Sequence, residues 1–190
     1  MPRGDELIIA QRLAKQREKL HTIDNTVYIS KKEYTFTRCV FEYGFSMVVP
    51  KPFEEMPLEI AKRKFPVEDR PKTIISDEGC RVCIAFNGYE FDGKSAGDRV
   101  SAMRSYVKKV RPSNVFFTQG SYELDPGMTI GHFDYCYPVV DGNMYNITFT
   151  FDLPDAGILG WFICPLDVKD DWELLARQMV RSIEIVGGGA

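Results

Sequence analysis

Residues 79–83 read GCRVC, and two cysteines in a C-x-x-C spacing are the first place to look for chemistry. Thiolates so spaced hold zinc or cycle through a disulfide when the segment forms a tight turn. Here the flanks are KTIIS and IAF, β-branched and aromatic, and they predict a hairpin over 72–86. Asp77-Glu78-Gly79 reads as its three-residue loop, with Gly79 at the left-handed position. That loop pairs Ser76 with Cys80, Ile74 with Val82 and Ile75 with Arg81. In an extended strand Cys80 and Cys83 point to opposite faces, their Cα atoms roughly 10 Å apart. A disulfide tolerates no more than about 7 Å. A zinc knuckle would need a second ligand pair, whereas Cys39, Cys136 and Cys164 each stand alone in apolar sequence. The cysteines are expected to be small buried hydrophobes, and no metal or other cofactor is expected.

His132, Asp134 and Cys136 alternate along one strand, so they share a face. Asn146, Thr148, Thr150 and Asp152 are expected across the hairpin on that face. Such a cluster could bind a metal or run acid–base chemistry. The plainer reading is the hydrated outer face of an antiparallel sheet. A second candidate is the run Arg99, Arg104, Lys108, Lys109 and Arg111, expected on the outer face of a helix. It could meet an acidic protein or anionic lipid heads, or be a solvated face. Arg70, in EDRP, is an ion-pair anchor or, more sharply, a ligand for a carboxylate. Residues 90–94 do not match a calcium loop, and no glycine-rich phosphate cradle follows a strand. The second histidine, His21, lies in a weak N-terminal segment, which leaves a zinc or Ser-His-Asp enzyme few residues to draw on.

The elements that must position these groups can be read from periodicity. Residues 5–20 form a thin amphipathic helix on Leu7, Ala10, Leu13, Ala14 and Leu20. TVYIS (26–30) and the aromatic-rich 33–50 are β, with Gly44 at a bulge or bend. Residues 57–65 form a short helix between Pro57 and Pro66. A second helix opens on a Ser95/Asp98 capping box, carries Val100, Met103, Val107 and Val110 on one face, and stops at Pro112. VFFTQ (115–119) is a strand. Residues 129–153 form a long hairpin in which Phe133, Tyr135 and Tyr137 alternate, as do Tyr145, Ile147, Phe149 and Phe151. Placing both ring sets on one face requires the three-residue loop Val140-Asp141-Gly142, a type I turn with a G1 bulge, pairing 139 with 143. ILGWFIC (158–164) is apolar on both faces and predicts a central strand covered on both sides. Asp170-Asp171 then caps a helix striped with Trp172, Leu175, Ala176, Met179 and Ile183, and 182–186 closes as a short strand.

The bulk numbers exclude several classes. The 190 residues suit an N-terminal helical segment (1–25), a single α+β domain (26–186) and a disordered tail (187–190). Hydrophobic residues make up 44%, enough for a core. A net charge of −3 with mixed signs argues against nucleic acid as a partner. No apolar run approaches the ~18 residues of a membrane span, and no secretory signal is visible. Five scattered cysteines fit reduced thiols, hence a cytoplasmic setting.

YGFSMVVPKPFEE resembles the first strand of the PsbP-like α/β/α sandwich, and LLARQMVRSIEIV resembles its last helix and strand. The order of hairpin, helix, meander and final helix between them is similar too, over roughly residues 34–186. The photosystem II extrinsic protein, a nuclear Ran-release factor and DcrB-like bacterial proteins share that fold. FPVEDRPKTIISDEG further resembles a group of small proteins from Firmicutes. The resemblance implies an antiparallel sheet flanked by helices, and a largely non-enzymatic role in binding proteins. Three functions are therefore weighed. The first is a binding or adaptor domain for a protein partner, using the uncovered sheet face or the basic helix. The second is a small-molecule or lipid carrier with a cavity lined by Phe133, Tyr135, Phe149 and Trp161. The third is an enzyme built on His132 and Asp134.

Overall fold

A computed structural model describes residues 19–90, 93–125 and 127–186. Its strands are β1 (Val27–Ile29), β2 (Lys32–Tyr34), β3 (Phe36–Phe41), β4 (Phe45–Pro50), β5 (Glu54–Glu55), β6 (Thr73–Ser76), β7 (Cys83–Tyr89), β8 (Val115–Asp125), β9 (Met128–Val139), β10 (Gly142–Asp152), β11 (Gly157–Pro165) and β12 (Glu184–Ile185). Its helices are α1 (Leu58–Lys64), α2 (Ala96–Val110) and α3 (Lys169–Arg181). One seven-stranded antiparallel sheet runs β5-β6-β7-β11-β10-β9-β8. A three-stranded sheet, β12-β4-β3, and the β1-β2 hairpin complete the fold. No helix among the described residues is long and apolar enough to cross a membrane.

The main core lies between the first face of the large sheet and a layer made of α3 and the small sheet. Trp172, Leu175, Ala176 and Met179 are buried along one stripe of α3, as their spacing predicts. Trp172 packs edge-on to Tyr34 with centroids 4.9 Å apart, and against Phe162 at 5.9 Å. Phe45 of β4 meets Phe86 and Phe151 of the large sheet edge-on, at 5.1 and 5.2 Å. Immediately after α3, Ser182 accepts a hydrogen bond from the Val48 N–H (2.8 Å), and β12 pairs with β4. The last helix and the small sheet are thus locked together.

The second face is covered unevenly. α1 sits over β6, β7 and β11, where Ala61, Ile74, Cys83, Ala85 and Ile163 form a smaller cluster. α2 starts with Ser95, whose Oγ accepts the Asp98 N–H at 3.1 Å, as the capping box predicts. It packs on β9 closely enough that a Cβ on Gly131 would fall 2.5 Å from the Ala96 carbonyl oxygen. α1 and α2 cover different strands of this face, and β11 lies centrally between β7 and β10.

Both hairpin registers differ from expectation. β6 pairs Ser76 with Cys83, Ile75 with Ile84 and Ile74 with Ala85. The Asp77 carboxylate accepts the N–H groups of Arg81 (2.7 Å) and Val82 (2.8 Å), which stabilises a longer loop. In it Cys80, not Gly79, takes the left-handed conformation (φ 51°). Cys80 is therefore a loop residue, while Cys83 opens the strand, and both are buried. In the long hairpin Val139 pairs with Gly142 across a two-residue Val140-Asp141 turn. Gly142 does carry a positive φ, but the pairing sets Phe133 opposite Thr148 and Ile147 opposite Asp134. The two ring sets therefore face opposite sides. Helices cover both faces of this sheet, so each side needs rings, and gathering them on one face is the wrong constraint.

Two smaller differences remain. α3 begins at Lys169 after a short turn of 3-10 helix, and Asp170 and Asp171 lie in its first turn rather than capping it. The expected helix over 5–20 lies outside the described residues except for Lys19 and Leu20, as does the 187–190 tail.

Candidate functional site

His132 and Asp134 are on the covered first face, not on a hydrated outer one. Asp134 has no solvent exposure and His132 only 6%. A bulge in β8 places Phe117 and Thr118 together opposite Asp134. Asp134 Oδ1 accepts from both the backbone N–H (2.7 Å) and the hydroxyl of Thr118. Its Oδ2 accepts from the Tyr145 hydroxyl at 2.7 Å and Arg177 Nη2 at 3.1 Å. A carboxylate offers about four acceptor positions, and four donors fill them here. Arg177 continues to Glu173 (2.9 Å), which also accepts from Lys169. Lys169, Glu173 and Arg177 are spaced i, i+4, i+8, a polar stripe of α3 aimed at the sheet.

This network holds α3 against β8, β9 and β10 and leaves Asp134 no free carboxylate oxygen for a reactant. Burial lowers the basicity of His132, with Arg177 adding to the effect, to a pKa of about 4. The neutral ring stacks on Tyr122 with centroids 4.3 Å apart. Burial and the hydrogen bond to Asp134 push the Tyr145 phenol far above its ordinary range. Burial depresses Arg177, but its hydrogen bonds to Tyr122 and Glu173 outweigh that and hold it more basic than usual.

The basic run on α2 splits in two. Arg99 is buried rather than outward-facing. It pairs with Asp152 (Nη2–Oδ2 2.5 Å), donates to the Lys94 carbonyl at 2.8 Å, and lies 5.4 Å from the Tyr89 ring centre. Arg104 is half-buried with its guanidinium 5.0 Å over the Phe116 ring. Lys108, Lys109 and Arg111 are exposed, in and just after the last turn.

Between the end of α1 with the segment that follows it and the β9–β10 hairpin lies a cleft of about 630 Å³. Its floor is the second face of the sheet: Cys83, Asn146, Trp161 and Ile163, with Tyr135 and Tyr137 as one wall and Phe65 as the other. Val67, Val139 and Val140 edge it, and Arg63, Lys64, Asp69 and Asp141 stand around it. A second hollow of about 770 Å³ shares Arg63, Lys64, Val139, Asp141 and Met144 with it and runs on to Leu166. A third, of about 610 Å³, lies across the Tyr135–Tyr137 ridge beneath Val107, Val110 and Arg111. Burial pushes the Cys83 thiol up to about 12, despite the opposing charge of Lys64. It stays protonated, which suits packing and not metal binding or nucleophilic attack. Burial raises the Tyr137 phenol in the same way, with Tyr135 and Cys83 contributing.

The four-ring cavity weighed for a carrier does not form. Phe149 lies on the first face opposite His132, away from Tyr135 and Trp161. Tyr135 and Trp161 were expected together; what the sequence reading missed is that Tyr137 and Phe65 join them on this side. The available signal was the pairing of Trp161 with Tyr135, which had the right side of the sheet although Phe149 did not belong to it.

No family model matches the chain, and no curated protein matches its sequence. Solved structures do. The cyanobacterial PsbP protein CyanoP from Synechocystis sp. PCC 6803 superposes with a TM-score of 0.59 at 11% identity, over 79% of this chain and 92% of that one. LpqN of Mycobacterium tuberculosis, involved in cell envelope biogenesis, gives a TM-score of 0.47 at 13% identity, over 80% and 95%. The immunity protein TplEi of the Pseudomonas aeruginosa T6SS gives 0.47 at 8% identity, over 99% and 86%. The chain has the PsbP fold: an antiparallel sheet with helices on both faces, as its first and last strands suggested.

Proposed function

We propose that the chain is a non-catalytic binding domain that recognises a protein partner through the cleft on its second face. One observation carries this. The aromatic floor is edged by apolar side chains left in water: Val67 is 56% exposed, Val139 43%, and Val140 at the hairpin tip is fully exposed, with Val110 (46%) in the neighbouring hollow. A small-molecule site buries most of its ligand and needs no such apron. A protein surface laid over the cleft would cover floor and rim together, as exposed apolar patches commonly require. In this reading Lys108, Lys109 and Arg111 flank the site, while Arg99, Arg104, His132 and Asp134 support it from within. The five free cysteines support a reducing, cytoplasmic place of work.

Photo-crosslinking tests it. A benzophenone side chain at position 140, in the cells that make the protein, should yield one dominant protein adduct. The same group at exposed Val40, on the small sheet, should not. Equal adducts from both positions, or a retained small molecule in native mass spectrometry with no protein adduct, would overturn it.

A further inference from the structure

We infer that the partner presents to this cleft an acidic segment interleaved with apolar side chains. The inference rests on the cleft being a protein site, and charge is what extends it. α1 ends at the cleft, and α2 ends at the third hollow across the Tyr135–Tyr137 ridge. α1 brings Arg63 and Lys64 to the rim of the cleft and of the adjoining hollow. α2 brings Arg111 to the third hollow, with Lys108 and Lys109 exposed in its last turn. None of these five cations makes an ion pair among the described residues, unlike Lys62 on Glu59 (3.0 Å) and Arg81 on Asp167 (3.7 Å).

The opposing charges are few. Asp69 and Asp141 line the cleft. Glu68 borders a separate hollow behind α1, next to Arg70. Each helix C-terminus contributes up to about half a negative charge, which basic residues in a last turn normally offset. The cleft's own lining is balanced, Arg63 and Lys64 against Asp69 and Asp141, and Arg81 offsets Asp167 in the adjoining hollow. Arg111, with Lys108 and Lys109 exposed beside it, less about half a charge for each of the two helix ends, leaves a net positive charge of about two around the groove. The chain as a whole carries −3. This is a local reversal of sign around an apolar floor, the arrangement that steers and registers an acidic partner. Arg63 and Lys64 stand where carboxylates flanking a buried ring or leucine would reach them. The chain's own residues 1–18 are a poor occupant, since Arg3, Arg12, Lys15 and Arg17 outnumber Asp5, Glu6 and Glu18.

The test is fluorescence anisotropy with three labelled 12-residue probes: Glu and Asp alternating with Leu and Phe, the same peptide with Gln for every acid, and the same with Lys. The acidic probe should bind at least about tenfold tighter than the Gln probe, and raising salt from about 50 to 300 mM should erase most of that gap. The charge-reversed pair Arg63→Glu and Lys64→Glu, on exposed positions that leave folding intact, should prefer the Lys probe. Tyr137→Ala should weaken both the acidic and Gln probes. Equal binding of the acidic and Gln probes, both lost in Tyr137→Ala, would overturn the acidic inference and leave the cleft as a protein site. No binding of any probe at about 1 mM, or binding indifferent to Tyr137→Ala, would overturn both.

Discussion

The two faces of the large sheet are built from similar residues to opposite ends. On the first, α3 and the small sheet, with Phe45, close over Phe86, Tyr145, Phe149 and Phe162, all essentially buried, and the fully buried Asp134 carboxylate has all four acceptor positions filled. On the second, α1 spans seven residues and α2 stands apart over β9, so Tyr135, Tyr137 and Trp161 stay half open. Saturation, more than composition, separates scaffold from surface here. Rings and even a buried carboxylate such as Asp134 signal chemistry only if something is left for a ligand to satisfy.

Four measurements can break or sharpen that contrast. The largest effect is expected at Asp134. Asp134→Ala leaves the Thr118 N–H and the buried Tyr145 hydroxyl without their acceptor and takes from Arg177, whose side chain is 17% exposed, one of its two carboxylates, and should cost about 3–5 kcal/mol in urea denaturation. A loss under about 1 kcal/mol would mean the network does not anchor α3. Next is pH. His132 titrates near 4 in the fold against 6.5 unfolded, so the unfolded chain takes the proton first. Stability should fall as pH drops from about 6.5 to 4, by on the order of 2–3 kcal/mol, and His132→Gln should flatten that limb. An unchanged slope in the variant would put the histidine's environment in doubt. Third, Gly160 lets the Phe149 ring lie across β11, and a Cβ there would meet ring atoms at 2.3 Å. Gly160→Ala should cost about 1–3 kcal/mol, read as a lowered melting temperature. Smallest in stability is Val140→Ser at the cleft rim, expected within about 0.5 kcal/mol of the parent. It should nevertheless weaken partner capture, and unchanged capture would move the site elsewhere.

Much of the fold was legible in the sequence. Ser95/Asp98, the α3 stripe and doubly apolar ILGWFIC are local signals that tertiary contacts reinforce. Register was not legible, because period-two alternation names two faces without saying which is covered. Once both are covered, placing all rings together sends 133–137 to the wrong side. His132 and Asp134 looked like a wet face for the same reason. Their burial depends on a β8 bulge and on Arg177, some forty residues away, neither of which alternation encodes. The cleft was the least readable part, since it is defined by how the end of α1 and the segment after it stand off from the β9–β10 hairpin, some seventy residues away.

The most direct test is a chemical-shift map of ¹⁵N-labelled protein titrated with the acidic 12-residue probe. Shifts should concentrate on Phe65, Tyr137, Val139, Val140 and Trp161, with the Glu173–Arg177 stretch of α3 unmoved. Shifts centred on α3 or the free edge of β8, with the cleft silent, would contradict the account.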